Sequence, residues 1–500
     1  MKRVVVLLAL LGAVMQANNL QIRNLSVNWA AQTVTFDISW ENGWRLATAP
    51  ANWDAAWVFV KFRECNALQN PWTHGQISTD LSDHNFGQDL EPVLSNGSAV
   101  GIDPIPNNLG VMLRRTATGT FATVGPYTVT LRVTNLPTSG SYDIAVFGIE
   151  MVFIPEGAYT LGTLDGSFSS STQAAYAFDQ SGSTSTSSTY QRQSYNITSE
   201  NAIPNLKWAG SGQNTFITVP AAFPKGYKAF HVMKYEISQG QYADFLNTLP
   251  GNTANIRYPG NSGMNRNRLQ TGGTYPDEYQ TTRPDRAQNY LSWHDLCAYL
   301  DWAALRPITE MEYEKICRGP GVSNAEYAWG NTYLVPGTTI GITPENGTEV
   351  FVNAGANCTF NNVTYTGGDG GQGPVRVGIH AKVGSTSRQA SGATYYGVLD
   401  MSGNVWEMVV MVSDAAGNVG SPAYEGNWGD GVLDWATGRA NQPTWPLGNP
   451  AGFGMRGGSW GNPWHDLRVS SRICSRPGHT CSWTRNPDGR HEHHGGRGAR

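Results

Sequence analysis

Arg306-Pro307-Ile308-Thr309-Glu310-Met311-Glu312-Tyr313-Glu314-Lys315, running on to Arg318-Gly319, decides how the second part of this chain folds. Thr309 and Glu312 have the spacing of a capping box, in which hydroxyl and carboxylate satisfy each other's backbone N–H groups. Gly319 after Arg318 closes the helix they open. Ser238 and Gln241 make a second such pair ahead of Tyr242, Phe245 and Leu246. Ser292 caps a third helix, whose Trp293, Leu296, Cys297 and Leu300 form an i, i+3, i+4, i+7 apolar face. Around these three the chain is mostly Gly-, Asn- and Trp-rich loop with short strands. Such a fold needs disulfides, metals or buried aromatics to fix it.

At about 150 residues per domain, 500 residues predict two to four domains. Only 14% of residues are charged, against roughly 25% in an average soluble domain. The 40% hydrophobic and 11% aromatic content can bury a large core, which excludes general disorder. A net charge of -4 gives no electrostatic reason to bind nucleic acid. No apolar run reaches membrane-spanning length. Lys2 and Arg3, the apolar stretch 4–15 and the small Ala17 read as a signal peptide over 1–17, which predicts a secreted or cell-surface protein. No cysteine near the cleavage site offers a lipid anchor. Export permits disulfides among Cys65, Cys297, Cys317, Cys358, Cys474 and Cys481, with connectivity open.

Between residues 20 and 149 apolar residues alternate as in strands: Val34, Phe36, Ile38 and Trp40 are separated by Thr35, Asp37 and Ser39. Stretches 127–133 and 142–147 repeat the pattern across turn signals, and no helical stripe intervenes. This predicts a β-sandwich serving as a spacer or interaction module. Acidic residues such as Asp54 and Asp80 lack metal-ligand spacing. The polar segment 166–199, with its Ser/Thr run at 181–188, reads as a long surface loop.

Five segments of the second part resemble, in order, the formylglycine-generating enzyme (sulfatase-modifying factor) family. They are Glu150-Met151-Val152-Phe153-Ile154-Pro155-Glu156-Gly157 with Leu161-Gly162, and Tyr235-Glu236-Ile237-Ser238 with Tyr242 and Phe245. The opening stretch at 306–315 follows, with Trp329-Gly330-Asn331 after it. Asp400-Met401-Ser402-Gly403-Asn404-Val405-Trp406-Glu407 and Arg456-Gly457-Gly458-Ser459-Trp460 complete the series. The resemblance covers roughly 150–500 and implies a C-type-lectin-like fold there. The fold class is then α+β: a signal peptide, a β-sandwich over 18–149, and a lectin-like domain over 150–500.

The resemblance also implies structural calcium. One site would use the Asp400 and Glu407 carboxylates with the Gly403 and Val405 carbonyls, a rigid loop closing around the ion. The other would use Asn357, Cys358, Asp369 and Gly371, with Asn353 as an alternative match to the first asparagine. The family's oxidases carry two cysteines after the segment matching Trp460, binding copper(I) as thiolates. Here Gly461-Asn462-Pro463-Trp464-His465-Asp466-Leu467 stands instead. Cys474 and Cys481 come later and read as a disulfide, or as Cys474 with Cys317. The resemblance therefore implies a member without the oxidase centre.

The tail His491-Glu492-His493-His494 is not H-E-x-x-H, because Gly495 holds the second histidine's place. Adjacent histidines on an extended chain point to opposite faces, so the sequence predicts a polar loop without a metal ion. Residues 461–494 hold five of the ten histidines, with Arg468, Arg472, Arg476, Arg485, Arg490, Trp464 and Trp483, and no lysine, alanine or phenylalanine. That composition resembles the variable region of retroelement-diversified proteins, which display it on a lectin-like scaffold. The predicted ligand contacts are Asn462, Trp464, His465, Asp466, His479, Trp483, Arg485, Arg490 and His491. Three functions compete: a secreted or surface ligand-binding protein recognising a protein or cell-surface partner through 461–494, a formylglycine-type oxidase with a relocated metal site, and a structural component of a surface apparatus.

Overall fold

The computed structural model describes residues 19–500 apart from 66–69, 106, 163–177, 180–194, 209–215, 322–325, 383, 384, 386, 413–419, 422, 473 and 475–485. The signal peptide and most of the 166–199 loop therefore lie outside the described residues. Of that loop, Phe178–Asp179 and Tyr195–Ile197 are short strands, the latter paired with Tyr159–Leu161.

The strand Asp54–Glu64 is the spine of the molecule. Ten of its eleven residues are buried, because both of its faces are covered. Ala56, Val58, Val60 and Phe62 pack against Val34, Phe36, Ile38 and Trp40 of a three-stranded sheet made by Gln21–Asn28, Thr33–Arg45 and Gly119–Arg132. These two layers are the sandwich that the alternation at 34–40 predicts. The opposite-facing Ala55, Trp57 and Phe59 enter a second core with residues of the helices α1 (Gln239–Asn247) and α3 (Trp293–Trp302). Such two-sided burial is why this strand reads as a continuous apolar run rather than an alternation.

Asp54–Glu64 pairs along its whole length with Tyr142–Ile154, from Asp54 opposite Val152 to Glu64 opposite Tyr142. Tyr142–Ile154 carries the sheet onward to Phe230–Met233, which pairs with Gly498–Ala499, and that strand pairs with Arg306–Pro307. One eight-stranded sheet thus runs unbroken through residue 150, with the C-terminal Gly498–Ala499 next to its edge strand Arg306–Pro307. A smaller sheet sets Trp406–Val410 between Phe453–Arg456 and His494–Gly495.

The helices form where their caps place them. Ser238 and Gln241 close a capping box on α1, and Thr309 and Glu312 on α4 (Glu310–Arg318), which ends at Gly319 with φ of 67°. Ser292 caps α3 with Asp295 completing the box, a partner the sequence reading did not name. A short α2 (Gly251–Arg257) lies between. Every residue of α4 is buried, its carboxylates included. Glu312 is held bidentately by Arg306 at 2.7 and 2.8 Å, and Glu310 by Arg472 at 2.5 and 2.8 Å. Glu314 pairs with both Arg318 and Arg456.

Trp57 ties the two cores to the chain end. Its indole N–H donates to the Ala303 carbonyl at 2.9 Å, and the Arg500 guanidinium lies over its ring at 3.8 Å. Replacing Trp57 with Ala is expected to cost roughly 3–5 kcal/mol. Because both halves share this sheet, urea unfolding followed by fluorescence and by circular dichroism should give one coincident transition at lower midpoint. Two separate transitions would show that the halves fold independently.

Candidate functional site

The 400–407 loop closes tightly. Asp400 and Asn404 sit in the left-handed region at φ of 60° and 61°, and Gly403 at 94°. A side chain on Gly403 would meet the Thr359 carbonyl at 2.5 Å, so glycine is required there. Beneath the loop lie the buried carboxylates of Glu236, Asp400 and Glu407 and the buried guanidinium of Arg497. Asp400 accepts from the Gly378 N–H, and Glu236 from the Val405 N–H at 3.0 Å and the Asn404 amide. Arg497 donates to Glu407 Oε1 at 2.6 Å, while Glu407 Oε2 has no hydrogen-bond partner.

Three carboxylates against one guanidinium leave a surplus of negative charge out of water, a costly arrangement unless a cation offsets it. Burial pushes all three carboxyls up, and repulsion from Asp400 and Glu407 raises Glu236 further. An orphaned carboxylate oxygen in a net-negative cluster on a rigid loop fits a hard divalent cation such as calcium. Sequence reasoning missed Glu236 and Arg497 as members of this cluster. The available signal was an acidic residue two positions before the Ser238 cap, flanked by Tyr235 and Ile237.

The residues of the second implied calcium set all have protein partners in this structure. Asp369 is held by Arg283 at 2.6 Å through two nitrogens and by Arg286 at 2.8 Å. Against the opposing effect of burial, these guanidinium bonds hold its carboxyl well below the usual carboxylate range. Asn357 accepts from the Val335 N–H, the Cys358 carbonyl from Gly337, and the Gly371 carbonyl from Tyr365. Asn353, the alternative, accepts from the Thr338 and Thr339 N–H groups. With its carboxylate neutralised by two arginines, this set offers a cation less charge than the 400–407 cluster. Asp369 and Arg283 instead line an open polar depression of about 440 Å³ with Ser262, Arg268, Gln270 and Thr282.

Cys297, Cys317 and Cys358 are free and buried, and Cys65 is free and half-buried. Burial pushes the Cys317 thiol up to about 12 and those of Cys297 and Cys358 well above the ordinary value. Burial thus disfavours the thiolate form that copper(I) prefers. Cys474 is disulfide-bonded, and free Cys317 rules out the Cys474–Cys317 pairing.

Of the predicted contact residues, His479, Trp483 and Arg485 lie outside the described residues. Trp464 is 41% exposed, with the Arg468 guanidinium over its ring at 4.7 Å and the His465 ring edge-on at 5.5 Å. Beneath it, Ser459 donates to Asn462, and Asn462 donates to Asp466 at 2.8 Å. Asp466 is buried and Asn462 half-buried, so Asp466 belongs to the support and not to the contact surface. Arg490 is likewise a pin. Its guanidinium grips Asp295 at 2.7 and 2.9 Å and the Ile256 carbonyl at 2.7 Å. Arg468 and Arg472 are buried too. His491 is half-buried, its Nδ1 3.5 Å from Glu492 Oε2. The flanks pack as scaffold: Arg456, Ser459, Trp460, Arg497 and Arg500 are all buried.

Known proteins align with this arrangement. The sulfatase-modifying factor enzyme 1-like domain matches residues 148–484, and the chain belongs to that family. Among its relatives is the formylglycine-generating enzyme of Thermomonospora curvata, 34% identical over 132 residues, which are 26% of this chain and 35% of that protein. The formylglycine-generating enzyme of Bos taurus is 33% identical over 132 residues, 26% of this chain and 29% of that protein. The chain thus spans about a third of the length of these curated relatives. Among solved structures, Treponema denticola variable protein 1 overlaps 71% of this chain and 95% of its own at 13% identity, with a TM-score of 0.30. That overlap is too low to extend to function. No helix among the described residues is long and apolar enough to cross a membrane.

Arg472 and Trp464 should separate support from surface. Arg472→Ala leaves Glu310 buried without its guanidinium and is expected to cost about 3–5 kcal/mol. Trp464→Ala should change stability by less than about 1 kcal/mol. Thermal melts of both variants check this, and equal losses would place Trp464 in the core.

Proposed function

We propose that this chain is a secreted or surface-exposed binding protein that uses the family's scaffold for recognition through the 461–494 stretch. The observation that carries the reading is the exposed Trp464, stacked with Arg468 and His465 on a loop braced from beneath by Ser459, Asn462 and Asp466. A rigid aromatic with a guanidinium on its face is the side-chain chemistry from which interface hot spots are built. The ligand is a protein or cell-surface group, and diversification by a retroelement is part of the proposal. An adenine-rich, template-like copy of the last hundred or so bases near the gene supports that part, and its absence opposes it.

The test is an array of extracellular proteins and glycans probed with the wild-type chain and with Trp464→Ala. Saturable binding to a partner should fall at least tenfold in the variant while its melting temperature holds, in line with about 2 kcal/mol for a hot spot. Unchanged affinity moves the binding site elsewhere, with the N-terminal sandwich next. The described cysteines of the second part favour binding over oxidation, since Cys297, Cys317 and Cys358 are buried and Cys474 is disulfide-bonded. Copper(I), oxygen and a peptide with a sulfatase-type cysteine should therefore give no aldehyde, and turnover lost on replacing Cys474 or Cys481 would reverse this assignment.

Calcium at the 400–407 loop belongs to the same proposal, held by the Asp400 and Glu407 carboxylates and the Gly403 and Val405 carbonyls. It would offset the surplus charge beside Glu236 and stiffen the scaffold under the recognition loops. Chelation should lower the melting temperature, and added calcium should restore it in proportion to site occupancy. An unchanged melting temperature, with the metal shown to be removed, eliminates the structural role.

A further inference from the structure

An extended chain would send His491 and His493 apart from Glu492, but residues 491–494 do not run extended. The His494 N–H donates to the His491 carbonyl at 3.0 Å, folding Glu492 and His493 into a tight turn. One donor atom from each of His491, Glu492 and His493 then lies within 4.8 Å of the others. The His491 and His493 ring centroids are 4.9 Å apart. Each backbone carbonyl of the turn is tied down. That of His491 also accepts from Tyr290, that of His493 from Trp406, and that of His494 from Leu291. Glu492's accepts from the Asn289 amide at 3.2 Å and the Trp460 indole at 3.1 Å. The frame is fixed, and only side-chain torsions remain to adjust.

We propose that His491, Glu492 and His493 form a binding site for a borderline divalent transition cation, with Zn²⁺ as the reference ion. Two imidazoles and one carboxylate are the ligand set of open zinc sites, whose fourth position is left to water or an incoming donor. Soft copper(I) would favour thiolates, and calcium would want six or more oxygens, so this donor set selects against both. Donors around zinc stand about 3.3 Å apart when bonds are ~2.05 Å in a tetrahedron, so the three must close in by side-chain rotation. The His491 and Glu492 side chains are 24% and 34% exposed, which gives the ion an entry path. Gly461 makes room for the set: a methyl group there would stand 2.2 Å from His493 Nε2.

The experiment uses the full chain saturated with calcium, titrated with zinc by calorimetry and with cobalt(II) by visible absorption. Wild type should bind one zinc and give the strong bands of tetrahedral cobalt. The double variant His491→Ala/His493→Ala should lose both signals, and Glu492→Gln should weaken zinc at least tenfold. Gly461→Ala should weaken it as well, although no donor is removed. Should the double variant fail to fold, Glu492→Gln on the half-exposed carboxylate decides the matter alone. A folded variant that keeps wild-type zinc affinity, or a wild type that binds no zinc at micromolar concentration, overturns the proposal.

Discussion

The second half of this protein depends on the buried carboxylates of α4. Glu310, Glu312 and Glu314 lie on a helix with no exposed face, so each must meet a cation. Arg306 lies just before the helix, Arg318 at its end, and Arg456 and Arg472 come from more than a hundred residues later. Removing Arg306 or Arg472 strands a charge out of water, and removing Arg456 takes one of Glu314's two partners, so chain segments far apart in sequence are locked to one helix. Such pairs add little net stability over apolar packing, yet they penalise every alternative arrangement. A fold with few helices and much irregular chain gains from that specificity, because loops offer little other means of fixing their register.

The Asp54–Glu64 strand imposes the second constraint. It places one set of side chains in the sandwich and the alternate set against α1 and α3, so neither core is complete without it. Lys234 strengthens the seam, reaching Asp54 at 3.3 Å and Glu150 at 2.9 Å from the neighbouring strands. Burial holds the Glu150 carboxyl up at about 7, with Lys234 opposing that shift. Asp54, which lacks metal-ligand spacing in sequence, serves as the buried partner of a lysine 180 residues away.

What was legible in the sequence is what local chemistry determines. Capping boxes at Ser238 and Thr309 need only three residues of context, and the alternation at 34–40 needs seven, so both could be read directly. Arg456 and Arg472, the distant partners of α4, and the Glu236–Arg497 contribution to the calcium-type cluster could not, because their meeting is set by tertiary packing. The same reason separates the predicted contact residues. Asp466 and Arg490 look like surface recognition side chains by composition, but their roles follow from Asn462 and Asp295, which periodicity cannot place beside them. At 491–494 the structure departs from the extended chain assumed in sequence: the opposite-face rule holds for an extended chain, and a backbone turn suspends it, so three donor atoms meet there.

This division of labour would let one stretch serve as scaffold and also carry the proposed recognition. Between positions 456 and 500, Arg456, Arg472, Arg497 and Arg500 point inward and are buried, holding the end of the chain to α4, to Glu407 and to Trp57. Trp464 and His465 sit between these anchors on a loop whose backbone is fixed by its own polar contacts. Changing Trp464 leaves the carboxylates of α4 and Glu407 with their guanidinium partners, so the surface can take new chemistry at little cost to the core. Changing an anchor does the opposite. A scaffold for display requires this separation of energies, and it follows from where the arginines find their carboxylates.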